Sequence, residues 1–397
     1  MTLGVNLDRR KFVTVTLAGG AMVTVGMAFL GSRYWQSMVP PSGDRNPYRA
    51  WQGPAGETQQ DVRLWALSYA LLAPNPHNLQ PWKIHAGDDN TLTLRHDARW
   101  LLPETDPFAR QLTIGHGAFL ELLRMAAAER GYALKVKLFP EGQEEDYAKA
   151  GAVVAQVAFT PGQPEKDPLF AQVLNRRTDR DPYDMAKPVS AVEMATVLGK
   201  ANPPVTMGMS LAGQPQHEAL TNLAREAYRV ELSVPRIWKE SVDVMQVGER
   251  EISLRPYGIA LRGNMIALGK TFGALTHEEM LPVGSSANKI GLEKGSAAIT
   301  ASPAFGWITT RGNTRAQQIL AGSVYVRQHL QATALGMTMQ PLSQALQEFP
   351  EMAEVRAAMN VATATPAGAT LQMFYRLGHP MVQVPPAPRR PLASLMV

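Results

Sequence analysis

The alternation of apolar and polar positions divides this chain before any motif is considered. Asp61 to Leu72 carries Val62, Leu64, Trp65, Leu67, Leu71 and Leu72 as a broad apolar face, which predicts an amphipathic helix. Pro74 and Pro76 end it, because proline restricts the residue before it and brings no amide donor. Beyond them, Lys83 to His96 alternates on either side of an Asp88-Asp89-Asn90 turn, the pattern of a β-hairpin.

Two later stretches match one another. GAFLELLRMAAAERG (117–131) and GSVYVRQHLQATALG (322–336) predict alanine-containing helices of equal length, each with a glycine just before it and a glycine stop just after. Each is followed by a strand-like run that ends at a proline turn, VVAQVAFTPGQP (153–164) and LQMFYRLGHP (371–380). The same order of elements therefore occurs twice, over residues 61–166 and 167–397, and predicts an α+β fold of two tandem repeats. Such repeats pack most naturally as a pseudo-dimer about a two-fold axis. A cleft between the halves is where a ligand is expected.

Residues 32–60, rich in Pro, Gly, Ser and Arg, read as a linker. Before them, Arg9, Arg10 and Lys11 precede an uncharged stretch from Val13 to Gly31, which resembles a twin-arginine export signal. The same stretch is near the ~20 residues that span a bilayer. Residues 1–31 are therefore expected to be an export signal, cut or retained as an inner-membrane anchor, and the folded part to be periplasmic or exported.

Composition narrows the chemistry. The chain has 397 residues, 45% hydrophobic and 18% charged, as in an ordinary globular protein. It has no cysteine, which excludes disulfides, thiolate metal sites and cysteine nucleophiles. The net charge of +5 is scattered, without an aromatic-interleaved basic stripe, so nucleic acid is not an expected partner. The histidines show no His-x-x-x-His or His-Glu spacing, and no metal is expected.

Three motifs remain. APNPHNLQPW (73–82) packs three prolines, two asparagines, His77, Gln80 and Trp82 into ten positions, more than a turn requires. NRRTDRDPYD (175–184) gathers Arg176, Arg177 and Arg180 around Thr178; guanidinium forks suit phosphate oxygens, and the hydroxyl adds a bond. Taken alone, it reads rather as a solvated loop paired with Asp179, Asp181 and Asp184. PPAPRRPL (385–392) places Arg389 and Arg390 after a stiff proline run, either a phosphate clamp or a frayed basic tail.

In this order the three motifs resemble the nitroreductase superfamily of FMN-dependent oxidoreductases, and in their duplicated layout its Acg-type branch. The resemblance spans about residue 61 to the end. It implies a nitroreductase-like α/β sandwich with FMN at the interface of two halves. Arg176, Arg177, Thr178 and Arg180 match the motif that holds the phosphate and the polar edge of the flavin, with Thr178 in place of serine. Arg389 and Arg390 match the terminal residues that close on the phosphate. Pro74, Asn75 and Asn78 match the loop that reaches FMN from the partner half, and Gln80, Pro81 and Trp82 continue it; Asn75 departs from the usual serine.

Residues 45–63 contain no Arg-x-Ser/Thr-x-Arg and residues 185–215 nothing like Asn-x-Gln-Pro-Trp, so one FMN per chain and a monomer are expected. The flavin would carry hydride or electrons from a reduced donor such as NAD(P)H to a small acceptor such as a nitroaromatic or quinone, with no catalytic side chain assigned. The competing reading is a non-catalytic flavin store, with GSSANKIGLEKGSAA (284–298) as a flexible lid. A membrane-anchored interaction protein with degenerate sites is a third reading, which the presence of all three motifs disfavours.

Overall fold

A computed structural model describes residues 30–56, 60–142, 151–200 and 205–397; the export-signal expectation falls on residues 1–31, nearly all outside these. In the first half, helix α1 (Val62–Ala70) leads to strands β1 (Trp82–Ala86) and β2 (Thr91–His96), helix α2 (Arg110–Glu129) and strands β3 (Tyr132–Leu138) and β4 (Val153–Pro161). The second half opens with α3 (Ala191–Leu198) and β5 (Val205–Leu211). An insertion follows: α4 (Pro215–Ser233), α5 (Pro235–Asp243), β6 (Met245–Val247), α6 (Glu249–Leu254), β7 (Ile259–Leu261), α7 (Asn264–Thr271), α8 (His277–Met280) and α9 (Ser286–Thr300). The half closes with β8 (Ala304–Thr310), α10 (Arg315–Ala334), β9 (Thr338–Pro341), α11 (Ala353–Ala362) and β10 (Thr370–Gly378).

The two four-stranded sheets have the orders β1-β2-β4-β3 and β5-β8-β10-β9, with every pairing in them antiparallel, and β6 and β7 of the insertion pair in parallel as a separate small sheet. Replacing β1, β2, β3 and β4 by β5, β8, β9 and β10 turns one order into the other. The four-residue turn between β1 and β2 corresponds to the long insertion between β5 and β8.

Helices α2 and α10 cross between the sheets, and the crossing explains their glycines. A Cβ on Gly117 would lie 2.0 Å from the Ile319 carbonyl oxygen, and one on Gly322 would lie 1.9 Å from that of Ile114. Only glycine lets the two backbones touch. The sequence places these glycines just before the helices, whereas each helix begins seven residues earlier, at Arg110 and at Arg315. Gly131 and Gly336, both at positive φ, do end them. The two N-terminal arginines are buried and cross over: Arg110 donates to the carbonyls of Leu346 and Gln372 in the second half, and Arg315 to that of Phe108 in the first.

Two expectations are corrected. The linker at 32–60 is tied to the fold around residues 48–51: Trp51 is buried, its Nε1 donates to Ala387 O at 2.7 Å, and Tyr48 donates to Glu249 at 2.7 Å. Tyr48 and Trp51 outweigh the loop-like composition around them. The flexible segment at 284–298 lies largely within helix α9, capped by Ser285. Gly295 serves packing, since a Cβ there would fall 2.1 Å from the Tyr228 ring of α4.

Candidate functional site

The loop after α1 is held in an unusual backbone. His77, Asn78 and Gln80 have φ of 46°, 57° and 55°, the left-handed region that costs a non-glycine residue roughly 1–2 kcal/mol. Backbone strain of this kind persists only where the surroundings impose it, and it concentrates at functional sites. Asn75 begins the imposition: its Oδ1 accepts from the Gln80 amide at 2.8 Å and its Nδ2 donates to Ala73 O at 3.1 Å. Beneath it, Gly115 of α2 leaves room; a Cβ there would sit 3.1 Å from the Asn75 Cβ.

Gln80 is fully buried and ties the loop to two distant segments. Its Nε2 donates to Pro256 O at 2.9 Å in the insertion, and its Oε1 accepts from the Arg390 amide at 2.8 Å. Asn78 donates to Pro388 O at 3.0 Å and accepts from Arg389 at 2.5 Å.

The arginine segment meets this loop from the other half. Arg176 is buried, donates to Leu72 O at 2.8 Å, and leaves its Nε without a partner. Burial, with Arg177 beside it, lowers its pKa to about 10, so it stays a cation at neutral pH. His329 braces the segment: its Nε2 lies 2.8 Å from Arg177 O, so Nε2 carries the hydrogen and Nδ1 faces Arg176 as an acceptor. Arg376 of β10 donates to the carbonyls of Asp179 and Asp181 at 3.2 and 2.9 Å and lies over the Tyr183 ring. Thr178 forms an isolated β-bridge with Met339 of β9.

Arg180 differs from the rest. The residue is exposed as a whole, and its side chain makes no hydrogen bond or ion pair among the described residues. Protein nevertheless walls it, so burial, joined by Arg262, lowers its pKa against the pull of Tyr228 and Glu231. His77 stands near it, held neutral with a pKa of about 4 by burial and then by Arg180. None of Arg176, Arg177, Arg180, Arg389 and Arg390 forms an ion pair with a carboxylate among the described residues. A group of cations without counter-ions is a standing demand for an anion.

The structure thus brings Pro74, Asn75, Asn78 and Gln80 together with Arg389 and Arg390, and sets Arg176, Arg177, Thr178 and Arg180 beside them. It also shows participants that the motifs do not contain. Trp51 carries the guanidinium carbons of Arg177, Arg389 and Arg176 at 4.5, 5.1 and 5.5 Å from its ring centre. Arg376, His329 and Gly115 position the two segments. Of these, only Arg376 left a trace in the sequence, as the single charge in an apolar strand.

No family model matches the chain. A crystal structure described as a putative nitroreductase from Anabaena variabilis aligns over 89% of this chain and 99% of its own, with TM-score 0.44 and 8% identity. The Mycobacterium tuberculosis H37Rv protein named "Putative NAD(P)H nitroreductase Rv3131" is 27% identical over 86% of this chain and 92% of its own length. "Putative NAD(P)H nitroreductase acg" of the same strain is 35% identical over 31% of this chain and 36% of its own. Over most of its length the chain is thus similar to proteins named as putative NAD(P)H nitroreductases, an Acg-named one among them over a shorter stretch.

Proposed function

We propose that this protein is an FMN-dependent oxidoreductase that moves a hydride or electrons from reduced nicotinamide to a small acceptor such as a nitroaromatic or quinone. One observation carries the reading: a left-handed loop from one half faces, from the other, the buried Arg176, the half-buried Arg177 and the exposed, unpaired Arg180. The residues present fit FMN. Arg176 and Arg177 suit its phosphate, because they remain charged and lack acidic partners. Arg180 suits the electron-rich edge of the ring, because its head is free. Similarity to proteins named as NAD(P)H nitroreductases supports nicotinamide as the donor.

FMN, when bound, supplies the redox chemistry, and the chain's own residues supply position and charge. Asn75, Asn78 and Gln80 hold the loop against the arginine segment, and the uncompensated cations favour an anionic ligand and its reduced, more negative form. His77 is neutral at pH 7 and takes no charge-stabilising part. The reading includes export of the folded protein through Arg9 and Arg10.

The test is direct. Purified protein should show flavin absorbance, or gain thermal stability on adding FMN, and NADH or NADPH should bleach the flavin without oxygen. Absence of both absorbance and stabilisation would sink the flavin reading. Binding without bleaching by any donor would favour a flavin store.

A further inference from the structure

We propose that Arg389 is a positioning residue that splints the left-handed loop, and that it leaves the phosphate of the ligand to the Arg176–Arg180 segment. A guanidinium has five N–H donors. In Arg389 all five have acceptors: Nε donates to Leu71 O at 2.9 Å, Nη1 to Asn78 Oδ1 at 2.5 Å and Pro388 O at 3.0 Å, and Nη2 to Leu72 O and Ala73 O at 2.9 and 3.3 Å. One face of the group is stacked on Trp51, and the side chain is 4% exposed. To reach a phosphate it would have to abandon carbonyls that would then stay buried without a donor.

Those carbonyls have a common origin. Leu71, Leu72 and Ala73 follow directly on α1, where a helix leaves its last carbonyls unpaired and its dipole negative. Arg389 caps that end with a full charge, and Arg176 adds a second bond to Leu72 O. The same guanidinium grips Asn78, one of the three left-handed residues. It therefore fixes the start of the loop to its strained middle.

Arg390 extends the splint one step further, its amide on Gln80 Oε1 and its Nη2 on Gln80 O. Its head lies over the Trp100 ring. The arm then runs on to the edge of the first sheet, where Ile84 bonds with both Leu395 and Val397. Two arginines from the end of the second half thus fix the geometry of a loop in the first.

The flavin part of this inference rests on the function proposed above; the loop part does not. The experiment titrates FMN and riboflavin, which lacks the phosphate, into wild type, Arg389→Ala and Arg389→Lys, and measures amide exchange over residues 74–82 in ligand-free protein. Both variants should lose affinity for the two flavins by the same factor, about tenfold. Exchange at Asn78 and Gln80 should accelerate while β8 and β10 keep wild-type protection. Lysine should not rescue, because a single ammonium cannot serve five acceptors.

Loss of FMN affinity with riboflavin unchanged, or full rescue by lysine, would make Arg389 a phosphate anchor and overturn the proposal. Unchanged exchange in the loop would overturn it as well. If wild type binds neither flavin, the proposed function fails, and the exchange measurement alone still decides whether Arg389 splints the loop.

Discussion

Adding one methyl group at Gly322 tests whether the crossing of α2 and α10 holds the two halves in place. The new Cβ would lie 1.9 Å from Ile114 O and 2.9 Å from the Ala118 amide nitrogen, and real Cβ contacts essentially never fall below 3.0 Å. Both obstacles are helix backbone, which no rotamer change can move, so the helices must separate by about 1 Å. Overpacking costs about 1–3 kcal/mol, occasionally more, and a rigid backbone obstacle belongs at the upper end. Alanine returns about 1 kcal/mol of helix propensity. The net expectation for Gly322→Ala is a loss of about 2 kcal/mol or more. Gly291 of α9 is the control, since its added Cβ meets only Leu232 at 3.8 Å; Gly291→Ala should stabilise by about 0.5–1 kcal/mol. Denaturant midpoints of the two variants should therefore move in opposite directions. Gly117→Ala should resemble Gly322→Ala, and the double variant should cost less than the sum, because one separation relieves both contacts. A neutral or stabilising Gly322→Ala would refute the close crossing.

The remaining predictions concern binding, pH and export. Arg180→Ala should weaken FMN binding by about 1.5–3 kcal/mol through lost charge-assisted bonds and leave the denaturation midpoint unchanged, because Arg180 ties nothing in the ligand-free fold; unchanged affinity would remove it from the site. Arg176→Ala should weaken binding similarly but also lower the midpoint, since it caps Leu72 O. His96 and His116 lie buried 5.5 Å apart, with pKa values lowered to about 3 and about 4, chiefly by burial. The unfolded chain binds these protons near pH 6.5 and the folded chain does not, so stability should fall as pH drops from about 6.5 to 4, by roughly 3 kcal/mol for His96 at pH 4. Neither ring nitrogen of His96 has a partner, so His96→Phe should flatten the pH dependence of the midpoint; an unaltered slope would contradict the assignment. Replacing Arg9 and Arg10 by lysine should abolish export, and normal export would refute the twin-arginine reading.

How much of this was legible depended on how far each signal reaches along the chain. The helix at 62–70, the hairpin at 82–96 and the glycine stops at 131 and 336 are set by local periodicity and turn chemistry, and the sequence shows them. Gly117 and Gly322 misled, because a glycine that admits another helix looks the same in sequence as a glycine that begins one. Trp51 and the segment around it were invisible for a related reason: their partners, Ala387 and Arg389, lie more than 300 residues away.

The candidate site divides along the same line. Sequence alone determined which residue types are present, that APNPHNLQPW and the arginine segment occur once each, and that the order of elements repeats, because composition, periodicity and motif order need no third dimension. Only the tertiary structure decided which cations remain available. Arg180 and Arg389 are identical side chains in motifs of similar look, yet one keeps a free head and the other has every donor taken. That difference comes from the carbonyls at the end of α1, which chain folding brings to Arg389 and not to Arg180.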